Sequence, residues 1–201
     1  MASFNVQEFR AQMTGDGARP NLFNCELPFL GNLLGSAAIK YNFMCRAAQL
    51  PGSTVNQVPV NYFGRELKFA GNRTFTEWTV TIINDEDFAV RRAFELWMSR
   101  LNSHVANLRD INYLSPSQYQ QNGTVTQFSK SASRAIKVYN FIGMFPIDIS
   151  PIELDWGAND TIEEYAVTFA YQWWESDSTD SAATSGAPAV GSPFQGPPGG
   201  P

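Results

Sequence analysis

A regular alternation of large apolar residues with small or polar ones, near the end of the chain, constrains the fold most strongly. Between residues 162 and 174, the large side chains that share one face of an extended strand are Tyr165, Val167, Phe169, Tyr171 and Trp173. The other face carries Glu164, Ala166, Thr168, Ala170 and Gln172. This period of two predicts one β-strand with a core face and a small, polar second face.

Other segments with the same period predict a mainly β domain. Strands are expected at 22–29, 41–48, 78–83 and 135–142, with a short strand at 124–128. The predicted apolar faces of the first two are Phe23, Cys25, Leu27 and Phe29, and Tyr41, Phe43, Cys45 and Ala47. Gly64 interrupts residues 58–69, which predicts either a bent strand or a hairpin.

Glycine, proline and polar residues predict the connections. We expect loops at 30–40 and 50–57, a turn at Gly71-Asn72, and an extended loop over most of 102–134. We also expect a proline-containing connection at 143–160. The apolar residues 31–39 would be covered in an assembly.

One substantial helix is predicted from Glu86 to about Leu101. Asn84 or Asp85 can cap it, and the acidic cluster at 85–87 complements the positive end of its dipole. Its apolar stripe consists of Val90, Phe94, Trp97, Met98 and Leu101. The cluster lacks the spaced oxygen ligands and the glycine of a calcium loop, so a helix start explains it without a metal.

Composition divides the 201 residues into a β domain and a tail. Residues 1–175 are expected to form one domain with its own core. Residues 176–201 are rich in Gly, Pro and Ser and predict a flexible C-terminal tail. The N-terminus lacks an apolar signal region and the longest apolar run is too short for a membrane span, which predicts a soluble, cytoplasmically made protein. Cys25 and Cys45 are expected to be buried free thiols.

Charge is distributed unevenly along the chain. The first 137 residues contain all 14 basic residues and 10 acidic ones, whereas the last 64 contain 9 acidic residues and no Lys or Arg. Two interpretations remain open: the acidic residues keep the surface soluble, or a positive region of one subunit meets a negative region of the next. The scattered basic residues argue against a nucleic-acid-binding surface.

The motifs of common enzymes are missing from the sequence. The lone histidine, His104, follows the predicted helix without a nucleophile motif, and no phosphate-binding glycine loop is present. Glu153 and Asp155 could serve a glycosidase, but their proximity in sequence does not supply a cleft. We therefore expect no enzymatic activity, no cofactor and no metal.

Four ordered blocks resemble the tail tube proteins of contractile-tailed bacteriophages. The first is the G-[DN]-R-T-F-x-x-W-T-V-T block with the acidic N-D-E that follows it. It matches Gly71, Asn72, Arg73, Thr74, Phe75, Trp78, Thr79, Val80, Thr81, Asn84, Asp85 and Glu86. The other blocks are 18–23, 50–60 and 153–175, and the last of these includes Asp155 and Trp156. The resemblance covers about residues 15–175.

The resemblance implies two packed antiparallel β-sheets, in a sandwich or barrel, with one flanking α-helix. In that family, hexameric rings stack into a hollow tube inside the contractile sheath, and the tape-measure protein and later DNA occupy the lumen. Baseplate and tail terminator proteins would be partners at the ends, with no membrane partner. The protein would be made in the host bacterial cytoplasm and would end in the virion tail.

Other functions stay open at this point. The chain could be the tube subunit of a related injection device, such as a tailocin or a type VI secretion system. A β-sandwich enzyme and a monomeric binding module belong to different classes.

Three hypotheses concern the tube itself. The small, polar face of strand 162–174 suggests a negative or neutral lumen. The tail at 176–201 should be dispensable for folding. Charge pairs could register the stacking of rings, with Arg10, Arg19, Arg65, Lys68 and Arg73 facing Asp148, Glu153, Asp155 and Asp160.

Overall fold

The computed structural model of the chain describes residues 5–14, 17–131 and 134–177. The strands are β1 Phe23–Glu26, β2 Cys45–Ala48, β3 Ser53–Tyr62, β4 Arg65–Phe75, β5 Trp78–Ile83, β6 Gln121–Phe128, β7 Ala135–Ile149, β8 Glu164–Ala170 and β9 Trp173–Ser176. The helices are α1 Val6–Gln12, α2 Leu30–Leu33, α3 Ala37–Met44, α4 Ala89–Leu101 and α5 Pro116–Tyr119. In this part of the chain, the helices are too short or too polar to span a bilayer.

Two antiparallel sheets share the long strand β7. In the first sheet, the first half of β7 pairs with β6 and β9, and β6 pairs with β1. In the second sheet, the second half of β7 pairs with β8, β8 pairs with β5, and β5 pairs with β2. Between the halves, Gly143 has a positive φ of 67°. The expected mainly β fold of two packed sheets is confirmed, with α4 as the flanking helix.

The path of β7 corrects two predictions. The proline-containing segment predicted as a connection from residue 143 continues β7 to Ile149, and Pro146 lies at a shift in the register with β8. The single strand predicted at 162–174 is two strands, because the pairing passes from one sheet to the other around Tyr171 and Gln172. Its core face is confirmed for Tyr165, Val167 and Phe169, which are buried.

The core lies between the two sheets and α4. Trp78 packs its ring on Phe141 of the first sheet and Phe169 of the second, with centroid separations of 4.5 and 5.6 Å. From α4, Phe94 packs on Phe169 at 5.7 Å, and Trp97 is fully buried. One aromatic cluster therefore holds both sheets and the helix together.

The helix α4 begins three residues later than predicted. Phe88 precedes it with a φ of 53°, and the Asp87 carboxylate accepts a hydrogen bond from the Ala89 N–H at 3.0 Å. Phe88 is therefore the N-cap residue, and Asp87, just before it, accepts the first helical N–H in place of Asn84 or Asp85. The predicted stripe is buried at Val90, Phe94 and Trp97, and half-buried at Met98 and Leu101.

The segment before β2 is helical, which contradicts two predictions. Residues 30–40, predicted as a loop, contain α2 and the start of α3, and α3 includes the first half of the strand predicted at 41–48. Ala37 and Tyr41, four residues apart, are both buried on one helical face. Phe43, expected in the core, is 80 % exposed. The predicted core face of the first strand is confirmed by Cys25 and Leu27.

Residues 53–75 form a hairpin, the second of the two alternatives for 58–69. Its turn residues Phe63 and Gly64 have φ values of 49° and 78°, which is typical of a two-residue hairpin turn. The turn predicted at Gly71-Asn72 is wrong, since both residues lie within β4. The loop predicted at 50–57 is wrong from Ser53 onward, where β3 begins.

Two more boundaries differ from the expectation. The region 102–134 is more ordered than predicted, since it contains a short 3-10 turn, α5 and the eight residues of β6. Ser176, predicted as the first residue of the tail, is buried as the last residue of β9. The rest of the predicted tail, from residue 178, lies outside the described residues.

Candidate assembly surfaces

The β3–β4 hairpin extends from the domain with both faces exposed. Every residue of β3 is exposed, and in β4 only Gly71 and Phe75 are partly covered. One face consists of the paired residues Val58 and Phe69, Val60 and Leu67, and Tyr62 and Arg65. We call Val58, Val60, Tyr62, Leu67 and Phe69 the apolar hairpin face. These five side chains are 42–63 % exposed, so an apolar surface lies uncovered in the single subunit.

The base of the hairpin packs on the domain through aromatic residues. The Phe75 ring lies 6.1 Å from the Tyr171 ring and 6.4 Å from the Trp174 ring, measured between centroids. The Trp174 indole N–H donates to the Gly52 carbonyl at 3.1 Å. The hairpin is therefore fixed at one end and free along the rest of its length.

Gly71 allows a close approach of the two strands. A Cβ at this position would lie 2.9 Å from the Asn56 carbonyl oxygen, where the register between β3 and β4 shifts. Thr74 follows, and its hydroxyl lies 3.4 Å from the Thr54 carbonyl. Asn72 and Arg73 are exposed. Glycine at 71 is thus required by the shape of the hairpin.

Trp78 anchors the strand that follows the hairpin. It is 3 % exposed, and its indole N–H donates to the Gln49 carbonyl at 2.7 Å. This bond ties the start of β5 to the segment that enters β3. The block from Gly71 to Trp78 therefore connects the hairpin to the core.

Asp85 lies at the other end of β5 and fixes α3. The Lys40 ammonium donates to the Asp85 carboxylate at 2.7 Å and also forms a short ion pair with Asp87. The hydrogen bonds that Lys40 donates to the Asp85 and Asp87 carboxylates raise the pKa of Lys40, and the bond from Lys40 lowers the pKa of Asp87. The acidic cluster therefore binds Lys40 of α3 and accepts the first backbone N–H of α4.

Asp155 and Trp156 lie in an exposed loop that is separate from the hairpin. The loop spans residues 151–163 between β7 and β8. Asp155 Oδ1 accepts a hydrogen bond from the Gly157 N–H at 2.9 Å, which shapes a local turn. Trp156 is fully exposed, and Leu154 is 81 % exposed. The structure does not bring these residues into contact with Gly71–Trp78 of the same chain.

The face of β5 and β8 that points away from the core is small and uncharged over most of its length. It consists of Thr79, Thr81, Ala166, Thr168 and Ala170, which we call the threonine face. Across the two strands, the hydroxyls of Thr79 and Thr168 lie 3.1 Å apart. At its end, Glu164 forms an ion pair with Arg46. The helix α4 packs on the opposite side of this sheet, against Phe169.

His104, the two cysteines and the acidic residues are the candidates for catalytic or metal chemistry in the described chain. His104 is exposed beyond the end of α4, as expected. Within residues 5–14, 17–131 and 134–177, no three His, Cys, Asp or Glu side chains are grouped closely enough to hold a metal ion. Both cysteines are free; Cys25 is buried and Cys45 is half-buried, so the expectation of buried thiols holds for Cys25 alone.

Comparison with known proteins decides what these surfaces belong to. A family model described as phage tail tube protein matches residues 18–177. The tail tube protein gp19 of Enterobacteria phage T4 is 35 % identical over 166 residues, which cover 83 % of this chain and 96 % of that protein. The chain belongs to the phage tail tube protein family. The tail tube protein of Serratia phage KSP90 is a more distant relative, with 23 % identity over 169 residues.

Solved structures share the fold of this tail tube protein. The extended sheath-tube complex of the extracellular contractile injection system PVC matches with a TM-score of 0.54 and 12 % identity, over 87 % of this chain and 98 % of that chain. The cap that terminates the anti-feeding prophage tube matches with a TM-score of 0.57 and 10 % identity, over 80 % and 90 % of the two chains. The family match and the 35 % identity to a phage tail tube protein make this chain a structural component of a phage tail.

The apolar hairpin face is the feature of this tail tube protein that the sequence analysis missed. Its signal was present, because Val58, Val60 and Tyr62 alternate with Pro59 and Asn61. The same period in other segments predicted a core face. Alternation alone does not distinguish a face that is buried in the subunit from one that is exposed on it.

Proposed function

We propose that this tail tube protein forms hexameric rings that stack into the inner tube of a contractile phage tail. The β3–β4 hairpin carries the proposal. A two-stranded hairpin is marginally stable in water on its own, and here its apolar face is exposed in the subunit. Neighbouring copies of the chain that cover this face would stabilise the hairpin and hold the tube together.

Ring closure would join open edges of the second sheet. Its order places β2 at one edge, and residues 145–149 of β7 at the other, where they pair with β8 on one side. Within the described chain, the other side of 145–149 pairs with no strand. If β2 of one copy lies beside this part of β7 in the next, the sheets join into a barrel without edges.

The threonine face would then line the lumen. Tight binding of DNA requires clustered Lys and Arg, and Thr79, Thr168 and their neighbours provide none. Arg46, a basic group beside this face, is paired with Glu164. A neutral wall of this kind would let DNA pass without strong binding, in agreement with the expected negative or neutral lumen.

The remaining partners follow from this architecture. The contractile sheath would surround the tube, the tape-measure protein and later DNA would occupy the lumen, and baseplate and terminator proteins would close the ends. The subunit would be made in the host cytoplasm and have no catalytic role. Gly71, Asn72, Arg73, Thr74, Phe75, Trp78 and Asp85 would serve fold and assembly by mounting the hairpin and α3, and Asp155 and Trp156 would serve assembly from the opposite loop.

Negative-stain electron microscopy of the purified protein tests the proposal. We expect hollow tubes or rings with a central channel. Replacing Val58 and Phe69 by threonine should leave a folded monomer, because the apolar hairpin face loses its adhesion. Replacing Asn61, on the opposite hairpin face, by threonine is the matched control and should still assemble. A wild-type protein that stays monomeric at every concentration would overturn the proposal.

A further inference from the structure

The hairpin and the loop 151–163 leave the second sheet at opposite ends. The hairpin leads into Trp78, which pairs with Phe169, and the loop leads into Glu164, which pairs with Ile83. The six residues of β5 separate these ends by roughly 17–20 Å, at about 3.3 Å per residue. A surface at one end therefore lies far from a surface at the other. Any attraction between them acts between copies.

The two surfaces carry opposite charge. The hairpin contains Arg65, Lys68 and Arg73 with one acidic residue, Glu66. The loop from 151 to 163 contains four acidic residues and no basic ones. Within the described residues, Arg65, Glu153, Asp155 and Asp160 form no salt bridge. These charges are available to a partner.

Both surfaces also expose aromatic or aliphatic side chains. At the hairpin tip, Phe63 is 92 % exposed and its ring lies 4.5 Å from that of Tyr62. In the loop, Leu154, Trp156 and Ile162 are exposed. A fully exposed tryptophan surrounded by carboxylates is well suited to an aromatic tip that carries arginine. The two surfaces are complementary in charge and in apolar character.

We infer that the hairpin tip, Tyr62–Arg65 with Lys68, docks on the loop 153–160 of a copy in the next ring. The inference rests on the proposed tube and names the surface that receives the hairpin. Arg65 and Lys68, on opposite faces of the hairpin, flank the tip and pair with Glu153 and Asp155, and Trp156 packs against the tip. Because the two surfaces differ and lie at opposite ends of the second sheet, the contact is heterologous and can repeat along an axis, which makes a filament.

A charge-swap experiment tests the contact. One variant carries Arg65→Glu and Lys68→Glu, and a second carries Glu153→Lys and Asp155→Lys. Asp160 is left unchanged, because its φ of 62° strains a lysine there. Each variant should stay folded. The amount of protein that pellets as tubes in the ultracentrifuge should fall by about tenfold or more. The chain with all four changes should recover assembly, since its charges attract again.

Controls separate this inference from the proposed function. Arg92→Glu reverses a charge on the exposed side of α4, outside both surfaces, and should leave tube formation unchanged. If the wild type and both charge-reversed variants all form tubes equally well, the inference is wrong and the tube stands. If the wild type forms no tubes, the proposed function fails, and the inference fails with it.

Fluorescence provides an independent readout of the apolar part. Trp156 is fully exposed in the single subunit, so docking should shift its emission to shorter wavelength when tubes form. The shift should be smaller in Trp156→Phe, measured under the same conditions. An identical shift in both proteins would place Trp156 outside the contact.

Discussion

At the scale of single residues, Trp78 shows how the block from Gly71 to Trp78 serves the fold. Its ring contacts both sheets through Phe141 and Phe169, and its N–H bonds to the Gln49 carbonyl. The residue is prominent in the sequence because it packs in the core. The residues that we propose for contact between copies lie on either side of this anchor.

Gly143 permits the bend at which β7 passes between the sheets. Its φ is 67°, and a Cβ there would lie 2.7 Å from Cγ of Gln172. We expect Gly143→Ala to destabilise the subunit by about 1–3 kcal/mol, through backbone strain and this clash. Gly35→Ala, where a Cβ meets nothing within 4 Å, is the matched control. Chemical denaturation of both variants measures the difference, and equal stabilities would contradict this account of the bend.

The Lys40 cluster gives the subunit a pH-dependent contribution to stability. The folded pKa of Asp87 lies below its ordinary value of 3.8, so its contribution is present above that pH and lost as the pH falls through the folded pKa. The pKa of Lys40 lies above its ordinary 10.5, so its contribution is present below that pH and lost as the pH rises further.

Replacing Lys40 by methionine should therefore lower the melting temperature modestly at neutral pH. The difference from wild type should shrink in strong acid and in strong base, because one partner loses its charge in each case. The effect is small because the pair is exposed to solvent. Lys68→Met, which removes a lysine 3.9 Å from Glu66 on the hairpin, is a control measured on the monomer. A difference that did not change with pH would exclude the ion pair as its cause.

At the scale of elements, the sequence predicted strands well where one face is buried within the subunit. The residues Trp78, Val80 and Ile82 are buried as expected, because alternation and burial coincide there. Prediction failed at 37–44, where spacings of two and four residues compete. The helix prevailed because it buries Ala37 and Tyr41 together.

The second half of β7 and the part of the hairpin around Gly71 were missed for a different physical reason. Pro146 disfavours a strand locally, but it lies where the pairing with β8 shifts register. Gly71 suggests a turn locally, but it lies in β4 where the backbone of β3 approaches closely. In both places a neighbouring strand determines the conformation, and the local sequence does not specify which strand that is.

The C-terminal tail is an element whose role can be tested by deletion. Residues 178–201 are rich in Gly, Pro and Ser and contain two large apolar residues, Val190 and Phe194. We expect a chain ending at Asp177 to keep the wild-type melting temperature, because the deletion leaves β9 intact. Calorimetry of the two monomers checks this. A decrease of several degrees would mean that the tail packs on the domain.

At the scale of the whole molecule, the subunit has complementary surfaces at its two ends and a neutral sheet face between them. The hairpin joins the second sheet at Trp78 of β5, and the acidic loop joins it at Glu164 of β8. The threonine face lies on β5 and β8, between these two ends. This arrangement suits a subunit that repeats along an axis. The charge imbalance along the sequence becomes, in this account, a difference between two ends.

Salt should therefore affect assembly more than folding. At 1 M salt the Debye length falls to about 3 Å, which screens exposed pairs such as Arg65 with Asp155. We expect slower polymerisation and shorter tubes, with the melting temperature of the monomer little changed. Light scattering at increasing salt measures the rate. An assembly rate that did not depend on salt would leave the apolar hairpin face as the main source of cohesion.

Cryo-electron microscopy of the assembled tubes tests the central claim most directly. The account predicts hexameric rings, with the threonine face on the lumen and each hairpin tip seated on the 153–160 loop of the next ring. A lumen lined mainly by Lys and Arg, or a hairpin whose apolar face remains open to solvent in the tube, would contradict it.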